Sequence, residues 1–167
     1  MITEHRCWVY GDDVDTDRIF PGKYTYTLKA PVEIAAHALE DLDPTFASQA
    51  QPGDVIVAGR NWGCGSSREQ GVTAFKYAGI RWIVAASFAR IYFRNCINQG
   101  IRPVVLPGLN DLLQTGDVIR IDHATGHLLA GSRVFALPSL SPSVQAILNA
   151  GGLVPMLRRR FSVQEEA

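Results

Sequence analysis

The chain has 167 residues, 47% of them apolar and 19% charged, the balance of an ordinary globular protein long enough for one well-buried core. Sixteen basic residues offset sixteen acidic ones, so no net field draws it to nucleic acid or to an anionic membrane surface. Cys7, Cys64 and Cys96 lie far apart and outside any CxxC pair, which argues against a disulfide framework or a zinc site. The amino-terminal stretch has no apolar signal core, and no segment approaches the ~20 apolar residues of a spanning helix. A cytoplasmic protein is the expectation.

In chain order, "RCWVYG" (6–11) reads as a strand closed by the turn-forming "GDDVDTD". The acidic run resembles a calcium loop only superficially. With Asp13 as first position, the sixth is Arg18 rather than glycine and the twelfth is Tyr24 rather than glutamate. A turn with Asx hydrogen bonds, some of whose carboxylates orient cations, accounts for it. "PVEIAAHALEDLD" (31–43) opens on proline and carries apolar residues at helical spacing, which predicts an amphipathic helix.

"DVIVAG" (54–59) is a short apolar strand leading into "NWGCGSSREQ" (61–70), and "GVTAFKYAG" continues as a helix closed by Gly79. "IRWIVAAS" is a second strand, and "FARIYFRNCINQ" a helix with Ser87 as its N-cap and Gly100 beyond its end. Its aromatic residues fall at core spacing rather than forming a platform for bases. "IRPVVLP" is a third strand. Between Gly53 and Pro107 the order strand, helix, strand, helix, strand predicts a parallel α/β core.

The carboxyl-terminal third changes character. "GDVIRID", "HLLAG" and "SRVFAL" are short strands joined by turn residues, expected to be antiparallel. His123 and His127 are four apart, but the "ATG" between them breaks any helix that would align them on a metal. "SPSVQAILNAGG" is a final helix capped by Ser141, with Pro142 in its first position and Gly151 past its end, and the basic "RRRF" beyond it reads as a solvated terminus. One α/β domain over residues 1–167, with a partly parallel core and additional antiparallel strands, is the expected architecture.

The chemistry concentrates in "GCGSSRE". Ser66 with Glu69 three residues on forms an S-x-x-E capping box, which accounts for those two residues structurally. It leaves Arg68 unexplained, because a cation in a first helical turn opposes the macrodipole unless an anion binds there. Gly63 and Gly65 allow a close approach. A serine hydroxyl needs activation, and none of the four histidines is an evident partner in sequence. The alternative is an alkoxide stabilised by amides and a neighbouring guanidinium, suited to removing a carbon-bound proton beside a carboxylate. No G-K-[ST] or G-x-G-x-x-G nucleotide fingerprint is present.

Taken together, "GDDVDTDRIFPGKY", "GRNWGCGSSREQ", "ASFARIYFRNCINQG" and "ILNAGGLV" resemble, in order and spacing, the small-subunit family of 3-isopropylmalate dehydratases, members of the aconitase superfamily. The resemblance runs from about Cys7 to the helix at 141–150. It implies a swivelling β/β/α domain, inactive without a large subunit that carries a [4Fe–4S] cluster on its own cysteines, and no metal on this chain. It implies Ser66 as the base, Arg68 as the carboxylate-binding cation, and Ser67, Asp17, Tyr24, Tyr26 and Thr27 as substrate-contacting positions. The reaction implied is dehydration and rehydration of 2-isopropylmalate to 3-isopropylmalate in leucine biosynthesis. In the loop "KYTYTLKAP", Tyr26 stands where relatives that take a third carboxylate have arginine, which favours an uncharged substituent, although Lys29 is a nearby cation. Another alkylmalate or homocitrate as substrate, and a non-catalytic anion-binding or regulatory module, remain the alternatives.

Overall fold

The structure is a computed structural model and describes residues 1–165. Seven strands form one mixed sheet in the order β4-β3-β2-β1-β5-β6-β7. Strands β1 (Ile2–Val9), β2 (Val55–Ala58), β3 (Trp82–Ala85) and β4 (Arg102–Val105) are parallel. β5 (Val118–Asp122), β6 (His127–Ala130) and β7 (Arg133–Ala136) continue from β1 as an antiparallel set. Helices α4 (Gln70–Tyr77) and α5 (Arg90–Gln99) make the second and third crossovers of the parallel half, and the long segment between β1 and β2 makes the first.

The apolar strand sequences follow from burial on both faces, as parallel strands require. On one face Trp8, Ile56, Ala58, Ile83 and Ala85 pack with Phe75 of α4 and Tyr92 of α5. On the other, Cys7, Val55, Val57 and Val84 pack with Ile119 and Leu128 of the antiparallel strands, so the sheet curls over its own second face. The expected parallel core with antiparallel additions is what the chain adopts, and no helix among the described residues is long and apolar enough to cross a membrane.

Four local expectations need correction. The helix expected over 31–43 is α2, Pro31–Ala36, and stops there. The Leu39 amide turns aside to bond the carbonyl of Ile19 at 2.8 Å and takes φ 59°, burying Leu39 in the core. The chain between β1 and α2 is not all turn, since Asp15 caps a one-turn helix α1, Thr16–Ile19, through the Arg18 amide. Helix α3 covers Phe46–Gln49. Ser87 is not the cap of α5: that position is Ala89, and the Ser87 hydroxyl accepts the Asn61 amide at 2.8 Å. Finally, α6 (Pro142–Asn149) begins at Ser141 as expected but is not the last helix. After the glycine pair Gly151–Gly152, α7 (Leu153–Glu165) carries the "RRRF" residues on an exposed helical surface.

Candidate functional site

The loops leaving the carboxyl ends of β1 and β2 stay zipped together beyond the strands. Backbone bonds run from Tyr10 N to Val57 O (2.8 Å), Asp13 N to Arg60 O (2.8 Å), Gly63 N to Val14 O (2.8 Å) and Thr16 N to Cys64 O (2.8 Å). Asp13 and Asn61 sit opposite one another in left-handed conformations, φ 54° and 57°, a region these two residue types tolerate, and Asn61 Nδ2 bonds Asp13 Oδ1 at 2.9 Å. Asp12 accepts the backbone amide and guanidinium of Arg60. Thus the acidic run orients cations, as the sequence reading expects. Gly63, at φ 75°, lets the Tyr92 ring lie where its Cβ would otherwise be. There the glycine serves packing and not a ligand.

This zipper places Thr16 beside Ser66. The Thr16 hydroxyl, on a residue 1% exposed, accepts the Ser66 amide at 3.0 Å and lies 3.0 Å from Ser66 Oγ. Having accepted the amide, Thr16 has its own proton to donate to Ser66 Oγ. Arg68 Nε donates to the same oxygen at 2.7 Å. Ser66 Oγ therefore faces one fixed donor, Arg68 Nε, and a hydroxyl able to serve as a second, while its own exposed side carries no protein partner among the described residues.

Arg68 is 21% exposed and spans three neighbours. Nε binds Ser66, Nη2 pairs with the carboxylate of Asp17 in α1, and Nη1 lies 3.5 Å from Thr25 Oγ1. Asp17 is 65% exposed, so the pair is open to solvent and to exchange with another carboxylate. Gly22 is required for this fit, because a Cβ there would collide with Arg68 Nη1 and crowd Asp17. Gln70 Nε2 also reaches Thr25 O at 3.4 Å, tying the 22–28 loop to the serine-arginine segment.

The capping-box expectation does not hold. Helix α4 begins at Gln70 after Glu69, and Ser66 caps nothing. Glu69 instead accepts Gln99 Nε2 from α5, which in turn accepts Lys76 Nζ at 3.1 Å. The residues Ser66 to Arg68 are irregular and meet Thr16 and Asp17 before the helix starts, and Glu69, with φ -67° and ψ -29°, is the N-cap itself. Arg68 accordingly stands ahead of the helix and not in its first turn.

Ser67 is exposed, its carbonyl taking Asn95 Nδ2 at 3.4 Å. Tyr24 directs its hydroxyl to Glu40 at 3.2 Å and packs against His37, tilted by 31° with 4.0 Å between ring centres, and Lys23 Nζ lies 4.8 Å from the Tyr24 ring centre. His37 and Lys23 also bind Glu40, and with the His37 bond first among causes they hold that carboxyl below its usual range. Tyr26 is 91% exposed on the same loop, and Thr27 is exposed with its hydroxyl on Tyr24 O at 3.4 Å. The structure therefore brings Ser66, Arg68 and Asp17 together, and leaves Tyr26, Thr27 and Ser67 as solvent-facing positions. Thr16, Gly22 and Thr25 were missed by sequence reasoning, and only the position of Thr16 inside "DTD" hinted at its part.

The three cysteines do not converge. Cys7 and Cys96 are buried on opposite faces of the sheet, and burial pushes the Cys7 thiol up to about 12 and raises that of Cys96. Burial, with Asp15 and Asp13 nearby, also raises Cys64. No group of three histidines, cysteines or carboxylates is placed to hold a metal among the described residues.

A mixed sheet with helical crossovers defines an α/β protein, and the hydroxyl of Ser66 and guanidinium of Arg68 stand beyond the carboxyl ends of its parallel strands, where such folds place their sites. Residues 13–108 match the family described as the aconitase C-terminal domain. A 3-isopropylmalate dehydratase small subunit of Methanopyrus kandleri is 47% identical over 92% of this chain and 91% of its own length. A small subunit of the same name from Moorella thermoacetica is 43% identical over 96% and 97%. A methanogen homoaconitase small subunit of Methanocaldococcus jannaschii is 42% identical over 99% and 97%. The crystal structure of 3-isopropylmalate dehydratase (LeuD) from M. jannaschii superposes with a TM-score of 0.90, at 42% identity and 99% coverage of both chains. The chain belongs to the aconitase family, among its small subunits of the 3-isopropylmalate dehydratase type.

Proposed function

We propose that this chain is the small subunit of a hydro-lyase that moves a hydroxyl between adjacent carbons of 2-isopropylmalate by loss and re-addition of water. The observation that carries the reading is Ser66 Oγ held between Arg68 Nε at 2.7 Å and the Thr16 hydroxyl at 3.0 Å. A guanidinium donor, with the Thr16 hydroxyl free to donate as well, favours the alkoxide of that oxygen, the form able to take a proton from carbon. In that role Ser66 Oγ removes a proton from the methylene beside a carboxylate, the carbon–hydrogen electron pair becomes the new double bond, and the hydroxyl leaves from the neighbouring carbon. Adding a proton to the carbon that lost its hydroxyl and a hydroxyl to the carbon that lost its proton, one water in all, yields 3-isopropylmalate.

Arg68 has a second duty. Its pairing with the exposed Asp17 is the kind of contact a substrate carboxylate can replace or share at little cost. Asp17 then keeps the guanidinium oriented while the site is empty, and Thr25 and Gly22 fix its other edge.

The relatives are named small subunits, and the [4Fe–4S] group of the proposed reaction is assigned to a large partner subunit. When bound there, that group would supply Lewis-acid assistance to the departing hydroxyl. The chain alone is expected to show no turnover of 2-isopropylmalate, and to gain it on mixing with a cluster-bearing large subunit. Robust turnover by the isolated chain would refute the division of labour.

The loop supports an uncharged substituent on the substrate. Lys23 is already paired with Glu40 at 3.0 Å, and no arginine lies between residues 22 and 28. The homoaconitase relative makes the competing reading, a substrate with a third carboxylate, specific. Assay of the reconstituted complex with 2-isopropylmalate and homocitrate side by side separates them, and a preference for homocitrate would overturn the first.

A further inference from the structure

Strands β3 and β4 begin side by side at the register partners Trp82 and Arg102. These residues mark the amino-terminal ends of parallel strands, whereas Ser66 and Arg68 follow the carboxyl end of β2. At this opposite end a cavity of about 400 Å³ is lined by Arg102, Trp82, His123, His127, Leu137 and Leu140, among others. A smaller hollow of about 230 Å³ shares Arg102 and Trp82 with it and adds Arg81.

Arg102 is out of balance with its surroundings. Its guanidinium lies 4.5 Å over the Trp82 ring, its Nε is buried without a hydrogen-bond partner, and Nη2 reaches only Pro138 O, at 3.5 Å. It joins no ion pair among the described residues. Burial lowers its pKa, with no opposing contribution from a carboxylate. Asp122 is the acid on the cavity wall, but its oxygens already take the Ala124 amide at 2.9 Å, the Thr125 amide at 3.4 Å and the Thr125 hydroxyl at 2.8 Å. A half-buried cation with donors to spare calls for an anion, and its planar fork matches a carboxylate. Trp82, Leu137 and Leu140 give the same cavity an apolar wall. Inorganic phosphate has nothing to place there and would bring a second charge towards Asp122.

We propose that this cavity binds a small organic carboxylate with an apolar arm, the carboxylate on Arg102 and the arm against Trp82, Leu137 and Leu140. The site is separate from the serine-arginine turn and does not depend on the reaction assigned to it. The ligand is defined by its chemistry: one carboxylate and a short alkyl chain.

The test is titration of the full chain with isocaproate, read at the indole N–H resonance of Trp82, with isocaproamide, acetate and inorganic phosphate as comparison ligands. Trp8 and Trp62 are buried at 3% and 0% exposure, so Trp82 reports locally. A saturable shift with a Kd on the order of 1 mM is expected for isocaproate. Binding should weaken by about tenfold or more for acetate, for the amide, for phosphate and in Arg102→Gln. The shift should survive unchanged in Arg68→Gln. Absence of a saturable shift with isocaproate, equal binding of the amide or phosphate, or loss of the shift in Arg68→Gln would overturn the assignment. The wild-type comparison of four ligands stands by itself if Arg102→Gln fails to fold, and wild-type affinity in a folded Arg102→Gln would also overturn it.

Discussion

The two ends of β2 each carry an arginine–aspartate pair, and they are built on opposite principles. At the amino-terminal end, Asp54 is 7% exposed and fully engaged: Arg6 Nη2 at 2.6 Å, Trp8 Nε1 at 2.8 Å and the Gln51 amide at 3.0 Å all point at it. Beyond the carboxyl-terminal end, Asp17 is 65% exposed with Arg68 as its partner, and Arg68 shares itself with the Ser66 hydroxyl. A saturated buried carboxylate fixes the meeting of β1 with the segment before β2. An unsaturated exposed one leaves a cation, and the hydroxyl beside it, available. Location in the same sheet does not separate structure from function here; the count of satisfied partners does.

Substitutions at the two ends should therefore fail in different ways. The largest effect is expected at the open end. Ser66→Ala in a complex reconstituted with the large subunit should lower kcat on the order of a thousandfold, while circular dichroism and melting temperature stay near wild type. Next, Asp54→Ala should cost about 3 kcal/mol of stability by leaving Arg6, Trp8 Nε1 and the Gln51 amide without their acceptor. Chemical denaturation measures it, and residual folded enzyme should turn over normally. A melting curve unchanged in Asp54→Ala would erase the distinction.

Smaller effects sharpen the same contrast. Thr16→Val keeps the shape of a buried side chain but removes both the acceptor of the Ser66 amide and the hydroxyl beside Ser66 Oγ, and a kcat loss of about tenfold is expected. Thr16→Ser should restore most of it, which a purely packing role would not require. The smallest expected effect is a pH dependence. Burial alone would raise the Asp54 pKa, but hydrogen bonds from Arg6, the Gln51 amide and Trp8 outweigh it and hold the carboxyl below its ordinary 3.8. Because the folded value is depressed, the stabilisation is fully present above the unfolded-state value near pH 4 and is lost as pH falls towards the folded one. Denaturation midpoints between neutral and acid pH should therefore decline less steeply in Asp54→Asn than in wild type.

The fold was largely legible in sequence because its strongest signals are local. Four-residue β-branched runs such as "VIVA" announce strands buried on both faces, and Gly79, Gly100 and Gly151 stand just past helix ends with φ of 86°, 79° and 84°. The failures came where a long-range bond overrode a local rule. Helical spacing through residue 43 says nothing of the Leu39 amide bonding Ile19, and the Ser66–Glu69 spacing is blind to Thr16, fifty positions away. The same blindness hid the site's supporting residues. Serine and arginine were singled out because a guanidinium near a helix start needs an anion, and that reasoning, from a wrong helix boundary, led to two side chains that do meet, Arg68 Nε donating to Ser66 Oγ. Gly22 and Thr25 act only through space, against Arg68, and leave no pattern in the chain. Helix α7 was missed for a different reason: a basic terminal run reads as solvated, and its Arg158–Phe161 surface is indeed exposed while being helical.

The assignment of Ser66 as the proton-removing group is tested most directly by label exchange. The reconstituted complex is supplied with 2-isopropylmalate deuterated at the methylene beside its carboxylate, and loss of deuterium to water is followed by mass spectrometry. Wild type should wash the label out, and Ser66→Ala should retain it while still binding the substrate. Washout at the wild-type rate by Ser66→Ala would contradict the account.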